Sequence, residues 1–278
     1  MAKQREDFSE PPGARGLTAR KQGGLLPVSL AGDVWSGVRR LWDLLASERR
    51  CPACASVYAF GDQKETLFCP ECSLALTRRE KGHCPDCGEP AAWPDLPLAP
   101  CLRCLEHPPP WDKFLFHGLH QGLLRQLLLG LKFHGQVALA HSLGRLLAGH
   151  PDLAGLSVDC VVPVPLHMHR LARRGYNQAL ELAVPLAVRL KLPCEPRLLE
   201  RVRATVSQTG TSLAARKQNT WGAFAATSGV RGARILLLDD TVTTGSTLAA
   251  ATAALLDAGA GGVSVVAVSR TARWFRGR

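Results

Sequence analysis

The pattern of apolar and polar positions divides the first fifty residues into two parts. Residues 1–32 are rich in Gly, Pro and basic residues and have no sustained period, which predicts a mobile tail. From Asp33 onward apolar residues recur at helical spacing, which predicts an amphipathic helix over 33–50 with Asp33 as its N-cap. Arg39 and Arg40 would also suit a membrane-surface helix, but a short apolar stripe favours packing on a neighbouring domain.

Beyond a proline-rich linker at 106–110, the pattern alternates between buried strands and helices over residues 111–272. Pro185 favours a kink or an early end in one of the predicted helices. Because a helix between two apolar strands within about thirty residues forms a βαβ unit, we predict an α/β fold with a parallel sheet. The predicted strands cover 159–165, 234–239 and 262–268. The predicted helices cover 119–132, 137–147, 178–190 and 246–256.

Eight of the ten cysteines form four Cys-x-x-Cys pairs between residues 51 and 108. Two such pairs supply the four soft ligands of a tetrahedral zinc site, so the spacing predicts a double zinc ribbon holding one or two structural Zn²⁺ ions. Pairing in sequence order is the simplest, crossed pairing is equally allowed, and His83 or His107 could replace a thiolate. Disulfides would require an oxidising compartment, and the sequence shows no export signal. The pairs are Cys51/Cys54, Cys69/Cys72, Cys84/Cys87 and Cys101/Cys104.

Two acidic residues and a hydroxyl-rich loop follow the apolar run at 235–238. Asp239 and Asp240 precede Thr241, Thr243, Thr244, Gly245, Ser246 and Thr247. Hydroxyls and backbone N–H groups at a helix start form a phosphate cradle, and ligands of open α/β sheets bind at the carboxyl ends of strands. The loop lacks the Walker A lysine and the dinucleotide-binding Gly-x-Gly-x-x-Gly spacing. Paired acids beside a phosphate favour a ribose phosphate with Mg²⁺.

The segment 235–247 resembles the phosphoribosyl pyrophosphate (PRPP) motif of type I phosphoribosyltransferases. Further stretches resemble the ComF/GntX family of competence-associated proteins, whose members also carry an N-terminal zinc ribbon. The resemblance covers roughly residues 34–270 and implies a type I phosphoribosyltransferase-like parallel sheet flanked by helices. Those stretches are Leu131–Gly135 (LKFHG), Val162–Leu166 (VPVPL), Arg173–Gln178 (RRGYNQ), and Arg203, Thr205, Gln208, Arg216, Asn219 and Gly222–Phe224.

The resemblance also implies roles for single residues. Asp239 and Asp240 would bind the ribose hydroxyls of PRPP, and Thr241 would be a further PRPP ligand. The 5-phosphate would be bound by Thr243, Thr244, Gly245, Ser246 and Thr247. Arg203 and Arg216, on a loop that closes over PRPP, would act with the two acids in catalysis. Loss of pyrophosphate builds negative charge on the leaving group, which Arg and Mg²⁺ neutralise. A solvated basic face is the competing interpretation for each arginine. The implied pyrophosphate ligands are Arg170, Arg173 and Arg174.

Two functions of different class remain open from the sequence. One is a Mg²⁺-dependent phosphoribosyltransferase with an unidentified acceptor. The other is a non-catalytic module of DNA uptake that binds single-stranded DNA or a partner protein.

The net charge of +11 comes from the region of the predicted phosphate site. Residues 111–278 have twenty basic and nine acidic side chains, whereas residues 51–110 have five and eight. The excess positive charge thus lies in the α/β domain rather than in the ribbon. This charge favours an anionic ligand for the α/β domain, whatever that ligand is. Residues 273–278 predict a basic tail. With no transmembrane run and no secretory signal, we expect a cytoplasmic protein.

Overall fold

A four-stranded parallel sheet forms the centre of the protein, in a computed structural model that describes residues 48–59, 67–203 and 222–272. The strands are β3 (Lys113–Leu119), β4 (Cys160–Pro163), β7 (Arg234–Val242) and β8 (Gly262–Arg270), in the spatial order β3-β8-β7-β4. The predicted tail at 1–32, residues 33–47 of the predicted helix and the basic tail at 273–278 lie outside the described residues.

Helices cover both faces of this sheet. Leu236 and Leu238 of β7 face an apolar core shared with three helices, whereas Ile235 and Leu237 face a second core shared with one helix. The first three are α3 (Gly122–Phe133), α4 (Ala138–Ala148) and α6 (Gln178–Leu190), and the fourth is α7 (Ser246–Asp257). Because side chains alternate along a strand, residues of this buried run supply both cores. The predicted α/β class is confirmed.

The strands β7 and β8 are longer than their apolar runs indicate. β7 continues through Asp239 and Asp240 to Val242, and β8 continues to Arg270. Asp240 therefore lies within a paired strand, beyond the predicted end at 239, and Asp239 lies opposite Ala267 of β8. The predicted ends of these two strands were wrong because they were placed where the apolar residues end. Hydrogen bonding between β7 and β8 continues beyond that point, into polar residues.

The helix α6 covers the predicted range 178–190, and it does not end early at Pro185, which was one of the two outcomes that this proline favoured. It runs from Gln178 to Leu190 with Pro185 in its interior. Pro185 packs closely on α4, since a Cβ on Gly144 would lie 2.5 Å from Pro185 Cγ and 2.5 Å from the Leu182 carbonyl oxygen. Tertiary packing thus outweighs the local cost of a proline inside this helix.

The cysteine-rich region is built from two small units. The first contains the antiparallel strands β1 (Glu48–Arg50) and β2 (Val57–Ala59) and helix α1 (Pro70–Ala75). The second contains helix α2 (Leu102–Glu106) and lies beside β3. Residues 48–50, the end of the range predicted as an amphipathic helix, form a strand instead, because they pair with β2.

The remaining elements frame the carboxyl end of the sheet. A short helix, α5 (Met168–Arg174), follows β4, and the strands β5 (Leu199–Arg201) and β6 (Phe224–Ala226) form an antiparallel pair. Across the described ranges, none of the helices combines the length and apolarity that bilayer crossing requires.

Candidate functional site

A cavity of about 660 Å³ opens at the carboxyl ends of β4 and β7. Its polar lining brings together the strand acids, threonines of β7, α7 and the loop between them, and residues from α3, α5, α6 and β5. This is the position at which open α/β sheets bind ligands. The polar lining residues are Lys132, Arg170, Arg173, Arg174, Tyr176, Asn177, Gln178, Arg201, Asp239, Asp240, Thr241, Thr243 and Thr247.

The two strand acids lie close together at the floor of this cavity. Asp239 Oδ1 accepts a hydrogen bond of 2.8 Å from the backbone N–H of Asp240. Burial of the carboxyl and the neighbouring charge of Asp240 raise the pKa of Asp239 to about 8. Lys132 Nζ lies 3.3 Å from Asp240 Oδ2 and offsets part of that charge. A ligand that donates hydroxyl groups, or brings a cation, would stabilise the ionised pair.

The loop between β7 and α7 contains the predicted phosphate cradle. Gly245 has a φ of 81°, a left-handed conformation that favours glycine, and is the N-cap residue of α7. Thr244 Oγ1 lies 2.9 Å from Ser246 Oγ and accepts a hydrogen bond from the Ser246 N–H at 3.3 Å. Thr243 and Thr247 line the cavity, whereas Thr244, Gly245 and Ser246 are not among its lining residues.

The three arginines predicted to bind pyrophosphate all line the cavity. Arg170, Arg173 and Arg174 lie at i, i+3 and i+4 on α5, a spacing that places them on one helix face. The Arg174 guanidinium lies over the Phe133 ring at 5.6 Å from its centroid. Burial lowers the pKa of Arg174, although the charge of Asp240 acts in the opposite direction.

Two further cations in the cavity have no role predicted from the sequence. Lys132 contacts Asp240. In the sequence, Lys132 was marked only by the motif Leu131–Gly135 to which it belongs. Arg201 of β5 lies over the Phe224 ring at 5.3 Å. Burial and the charge of Arg170 lower the pKa of Arg201, while the charge of Asp239 raises it. Arg201 precedes the motif that begins at Arg203 and carries no signal of its own.

Tyr176 and Asn177 hold the cavity wall in place. The Tyr176 hydroxyl donates to the carbonyl oxygen of Leu131. Asn177 Nδ2 donates to the Val164 carbonyl oxygen at 3.1 Å, and Asn177 Oδ1 accepts from the Ala179 N–H at 3.1 Å as the N-cap of α6. These bonds join α3, the end of β4 and α6 around the site.

Part of the predicted closing loop lies beyond the described residues. Arg203 is exposed and is not among the residues that line the cavity. Thr205, Gln208, Arg216 and Asn219 lie in the range 204–221, outside the described residues. The roles implied for Arg203 and Arg216 therefore stay predictions.

The eight clustered cysteines form two groups of four, paired in sequence order. The first cluster is Cys51, Cys54, Cys69 and Cys72, and the second cluster is Cys84, Cys87, Cys101 and Cys104. Within each cluster all sulfur atoms lie within 4.8 Å of one another, with 3.7 Å between Cys54 and Cys69 and between Cys87 and Cys101. A Zn–S bond of about 2.3 Å gives a tetrahedral S–S edge of about 3.8 Å, so both clusters fit zinc.

The backbone supports both clusters as thiolate sites. Cys51 Sγ accepts a hydrogen bond from the Cys69 N–H at 3.4 Å, and Cys84 Sγ accepts one from the Cys101 N–H at 3.3 Å. Without metal, a hydrogen bond from Cys87 is the main cause that lowers the pKa of Cys84 to about 4, and the same hydrogen bond together with burial raises the pKa of Cys87. Zinc at either cluster would be structural, because four cysteines leave no coordination position open to a substrate.

The fold and the cavity define a type I phosphoribosyltransferase-like protein that is preceded by two tetracysteine clusters. Residues 176–275 match the phosphoribosyl transferase domain family. The DNA utilization protein YhgH of Salmonella typhimurium is 39% identical over 209 residues, which are 73% of this chain and 90% of that protein. Competence protein F of Haemophilus influenzae is 36% identical over 53% of this chain and 68% of its own length.

These relatives show that the chain belongs to the ComF/GntX family. Among solved structures, a glutamine phosphoribosylpyrophosphate (PRPP) amidotransferase from B. subtilis, complexed with ADP and GMP, is 25% identical. That alignment covers 47% of this chain and 26% of the amidotransferase, with a TM-score of 0.34.

Proposed function

We propose that the cavity binds PRPP with Mg²⁺ and that the protein transfers the phosphoribosyl group to an acceptor with release of pyrophosphate. The observation that carries this proposal is the charge distribution of the cavity, in which five basic side chains surround two adjacent carboxylates. The basic groups suit a ligand with several phosphates, and the carboxylates suit the hydroxyls of a sugar. A ribose that carries phosphate at both ends combines these two features.

In the proposed complex each part of the cavity receives one part of PRPP. Asp239 and Asp240 accept hydrogen bonds from the ribose hydroxyls. Thr243, Thr247 and the N-terminal N–H groups of α7 bind the 5-phosphate, since a helix N-terminus favours an anion. Arg170, Arg173 and Arg174 bind the pyrophosphate group. Lys132 stabilises the ionised form of Asp240.

The proposed reaction forms a bond between C1 of ribose and the acceptor and breaks the bond from C1 to the pyrophosphate oxygen. Pyrophosphate leaves with the electron pair of that bond, and the acceptor releases a proton to solvent. The arginines of α5 stabilise the negative charge that develops on the leaving group. Mg²⁺, when bound with PRPP, would neutralise further phosphate charge beside Asp239 and Asp240.

A thermal-shift titration tests the binding step. PRPP at a hundredfold excess over its Kd stabilises a protein by about 2.7 kcal/mol, so with Mg²⁺ we expect the Tm to rise by about 5 °C or more. The double variant Asp239→Asn/Asp240→Asn should lose this rise. Asp257→Asn, an exposed acid at the far end of α7, should keep it. A wild-type Tm that PRPP and Mg²⁺ leave unchanged would exclude a working PRPP site.

A measurement of pyrophosphate release then tests the transfer step. The wild-type protein should release pyrophosphate from PRPP in the presence of a panel of nucleobases and amines, and the double variant should not. Binding of PRPP without release for any acceptor class would support the second candidate described next.

The second candidate function is a non-catalytic module that binds single-stranded DNA or a partner protein of DNA uptake. The relatives named for DNA utilization and competence favour it, as does the basic excess of residues 111–278. Binding of single-stranded DNA that weakens steeply with salt and persists in Asp239→Asn/Asp240→Asn would support this candidate.

A further inference from the structure

The second cysteine cluster contacts the loop that joins β7 to α7. Arg103, which lies between Cys101 and Cys104, donates from Nη1 to the Thr244 carbonyl oxygen at 3.4 Å. The indole of Trp111 donates to the Asp86 carbonyl oxygen at 2.7 Å, and a Cβ on Gly245 would lie 3.5 Å from the Trp111 ring. Side chains near the cluster thus touch the backbone of the proposed phosphate loop.

Arg270, at the end of β8, makes the strongest link between the cluster and the loop. Its side chain is 1% exposed. On the cluster side, Nε donates to the Cys87 carbonyl oxygen at 2.8 Å and Nη2 donates to Glu89 Oε2 at 2.5 Å. On the loop side, Nη1 donates to the carbonyl oxygens of Val242 and Thr243, the first at 3.3 Å. A single buried guanidinium therefore joins a cysteine ligand residue to Thr243, which lines the cavity.

The first cysteine cluster has a different environment. Cys51, Phe68 and Leu76 belong to the apolar core that contains Leu124 of α3. That core lies on one face of the sheet, whereas Leu248 of α7 belongs to the core on the opposite face. The two clusters therefore allow a matched comparison, because both carry four cysteines and, in the described part of the chain, the contacts given for Arg270 join the second cluster to the β7–α7 loop.

We propose that Arg270 is a positioning residue through which the second cysteine cluster, with zinc bound, holds Thr243–Gly245 in the conformation that receives the phosphate of the ligand. The proposal rests on the proposed function, since it takes this loop as the phosphate site. Arg270 binds the carbonyl oxygens of Val242 and Thr243, so these partial negative charges are paired rather than available to repel an anion. A loop that is already ordered loses less conformational entropy when the phosphate binds.

Because linkage is reciprocal, a phosphate ligand must also stabilise zinc in the second cluster. Zinc fixes the Cys87 backbone that Arg270 contacts, and the ligand fixes the loop at the other end of the same guanidinium. The first cluster should be insensitive to the ligand. This difference between two chemically similar clusters distinguishes positioning through Arg270 from a general effect of stability.

The test compares the two cysteines that lie on the short helices, Cys72 on α1 and Cys104 on α2. Each Cys→Ser variant should bind one zinc ion per chain fewer than the wild type. Calorimetric titration with ribose 5-phosphate should give an affinity about tenfold weaker for Cys104→Ser and within about twofold of wild type for Cys72→Ser. Equal affinities in the two variants, with zinc lost from each, would overturn the proposal.

Milder variants keep the test decisive if Cys104→Ser does not fold. Arg103→Ala removes the contact to the Thr244 carbonyl oxygen, and Glu89→Gln replaces the charged partner of Arg270 by a neutral acceptor, while the eight cysteines stay in place. We expect ribose 5-phosphate affinity to fall about threefold while affinity for pyrophosphate with Mg²⁺ stays within about twofold, because the arginines of α5 are unchanged. Arg78→Ala, which removes an ion pair to Glu80 in the same region, is the control. A parallel loss of both affinities would indicate general destabilisation and reject the positioning role.

The reciprocal effect is measured as zinc transfer to a chromophoric chelator. In the wild-type protein, ribose 5-phosphate should slow the release of one of the two zinc ions. In Cys72→Ser it should slow the release of the remaining zinc ion, and in Cys104→Ser it should leave zinc release unchanged. Unchanged release rates in a wild-type protein that binds ribose 5-phosphate would refute this inference alone. A wild-type protein that binds neither ribose 5-phosphate nor PRPP would refute the proposed function as well.

Discussion

Among the described residues, four histidines that are buried or half-buried have lowered pKa values. Burial lowers the pKa of His83, His117, His120 and His150, and His150 shows the largest effect, with a pKa of about 4. The charge of Arg78 acts in the same direction on His150. Neutral His150 accepts the Asp152 N–H through Nδ1 at 3.3 Å and so caps a short turn. Protonation would remove this acceptor and place a charge in a buried position.

This histidine predicts a loss of stability in acid. Between the ordinary histidine pKa of about 6.5 and about 4, the unfolded chain binds a proton that the folded chain does not. The contribution of His150 is therefore complete above about pH 6.5 and decreases as the pH falls through that window. His150→Asn keeps a capping acceptor and removes the titrating group. Urea midpoints at pH 7.5 and pH 5 should differ less in this variant than in wild type.

An exposed histidine provides the control for that measurement. His134→Asn should show the wild-type difference between the two pH values, because His134 is exposed to solvent. An equal acid-induced loss in wild type and in His150→Asn would assign the effect to other groups, including cysteines that lose zinc as they are protonated.

Residues of the candidate site that are close together along the chain were predictable from local sequence, whereas residues that only the fold brings together were not. Asp239, Asp240 and the threonines lie within the nine positions 239–247, so their motif predicts their shared location. Lys132 and Arg201 reach the same cavity only through the tertiary fold, and Lys132 pairs with a residue 108 positions away. The contacts of Arg270 are still harder to predict from sequence, since its partner Cys87 is 183 positions away.

Among the elements, the contact between α4 and α6 depends on the absence of a side chain. Gly144 is buried in the middle of α4 and leaves room for Pro185 and the Leu182 carbonyl of α6. The packing also explains why the interior proline is compatible with a continuous helix. Sequence periodicity predicted both helices almost to their observed ends, but it contained no information on how closely they approach.

Substitution of this glycine should therefore destabilise the protein. Alanine normally favours a helix over glycine by about 1 kcal/mol, but its Cβ would lie 2.5 Å from backbone and proline atoms of α6. We expect Gly144→Ala to lower the free energy of unfolding by about 1–3 kcal/mol, as in overpacked cores. Chemical denaturation measures this, with Gly155→Ala as control, since a Cβ at Gly155 would meet only one atom, at 4.0 Å. A neutral or stabilising Gly144→Ala would contradict the role assigned to this contact.

On the scale of the whole molecule, the second tetracysteine cluster takes the place of an apolar core in its part of the cysteine-rich region. Around the second cluster the buried apolar group consists of Cys84, Cys87 and Cys104 alone among the described residues. Such a unit cannot offset its conformational entropy by burial, so its folding should depend on the metal. The pattern of four pairs predicted the two tetracysteine groups, because the Cys-x-x-Cys spacing that suits zinc ligation is visible in the local sequence.

Metal analysis and chelation test this dependence. The purified protein should contain two zinc ions per chain, and a strong chelator should lower its Tm by about 5 °C or more, since both clusters contact the α/β domain. Addition of Zn²⁺ should restore the Tm, whereas Mg²⁺ should not, because thiolates are poor ligands for magnesium. A zinc content well below one ion per chain would refute the metal assignment.

The fold class was predictable as a whole, but the order of its strands was not. Alternation of strands and helices indicates a parallel sheet from local sequence alone. The position of β8 between β3 and β7 depends on pairings that no local pattern encodes, and β3 itself carried no recognised strand signal. The arrangement of the cavity follows from that order and so required the structure.

The central place of β8 has a consequence for biosynthesis. Its partners β3 and β7 both precede it along the chain, and β3 lies more than a hundred residues earlier. While the ribosome is still adding residues 262–270, β3 has no neighbour in the main sheet and β7 has an open edge. Open strand edges invite pairing between chains, and distant pairings form slowly. The sheet therefore closes only after β8 has been synthesised and has left the ribosome, and until then the nascent chain has open strand edges that favour aggregation.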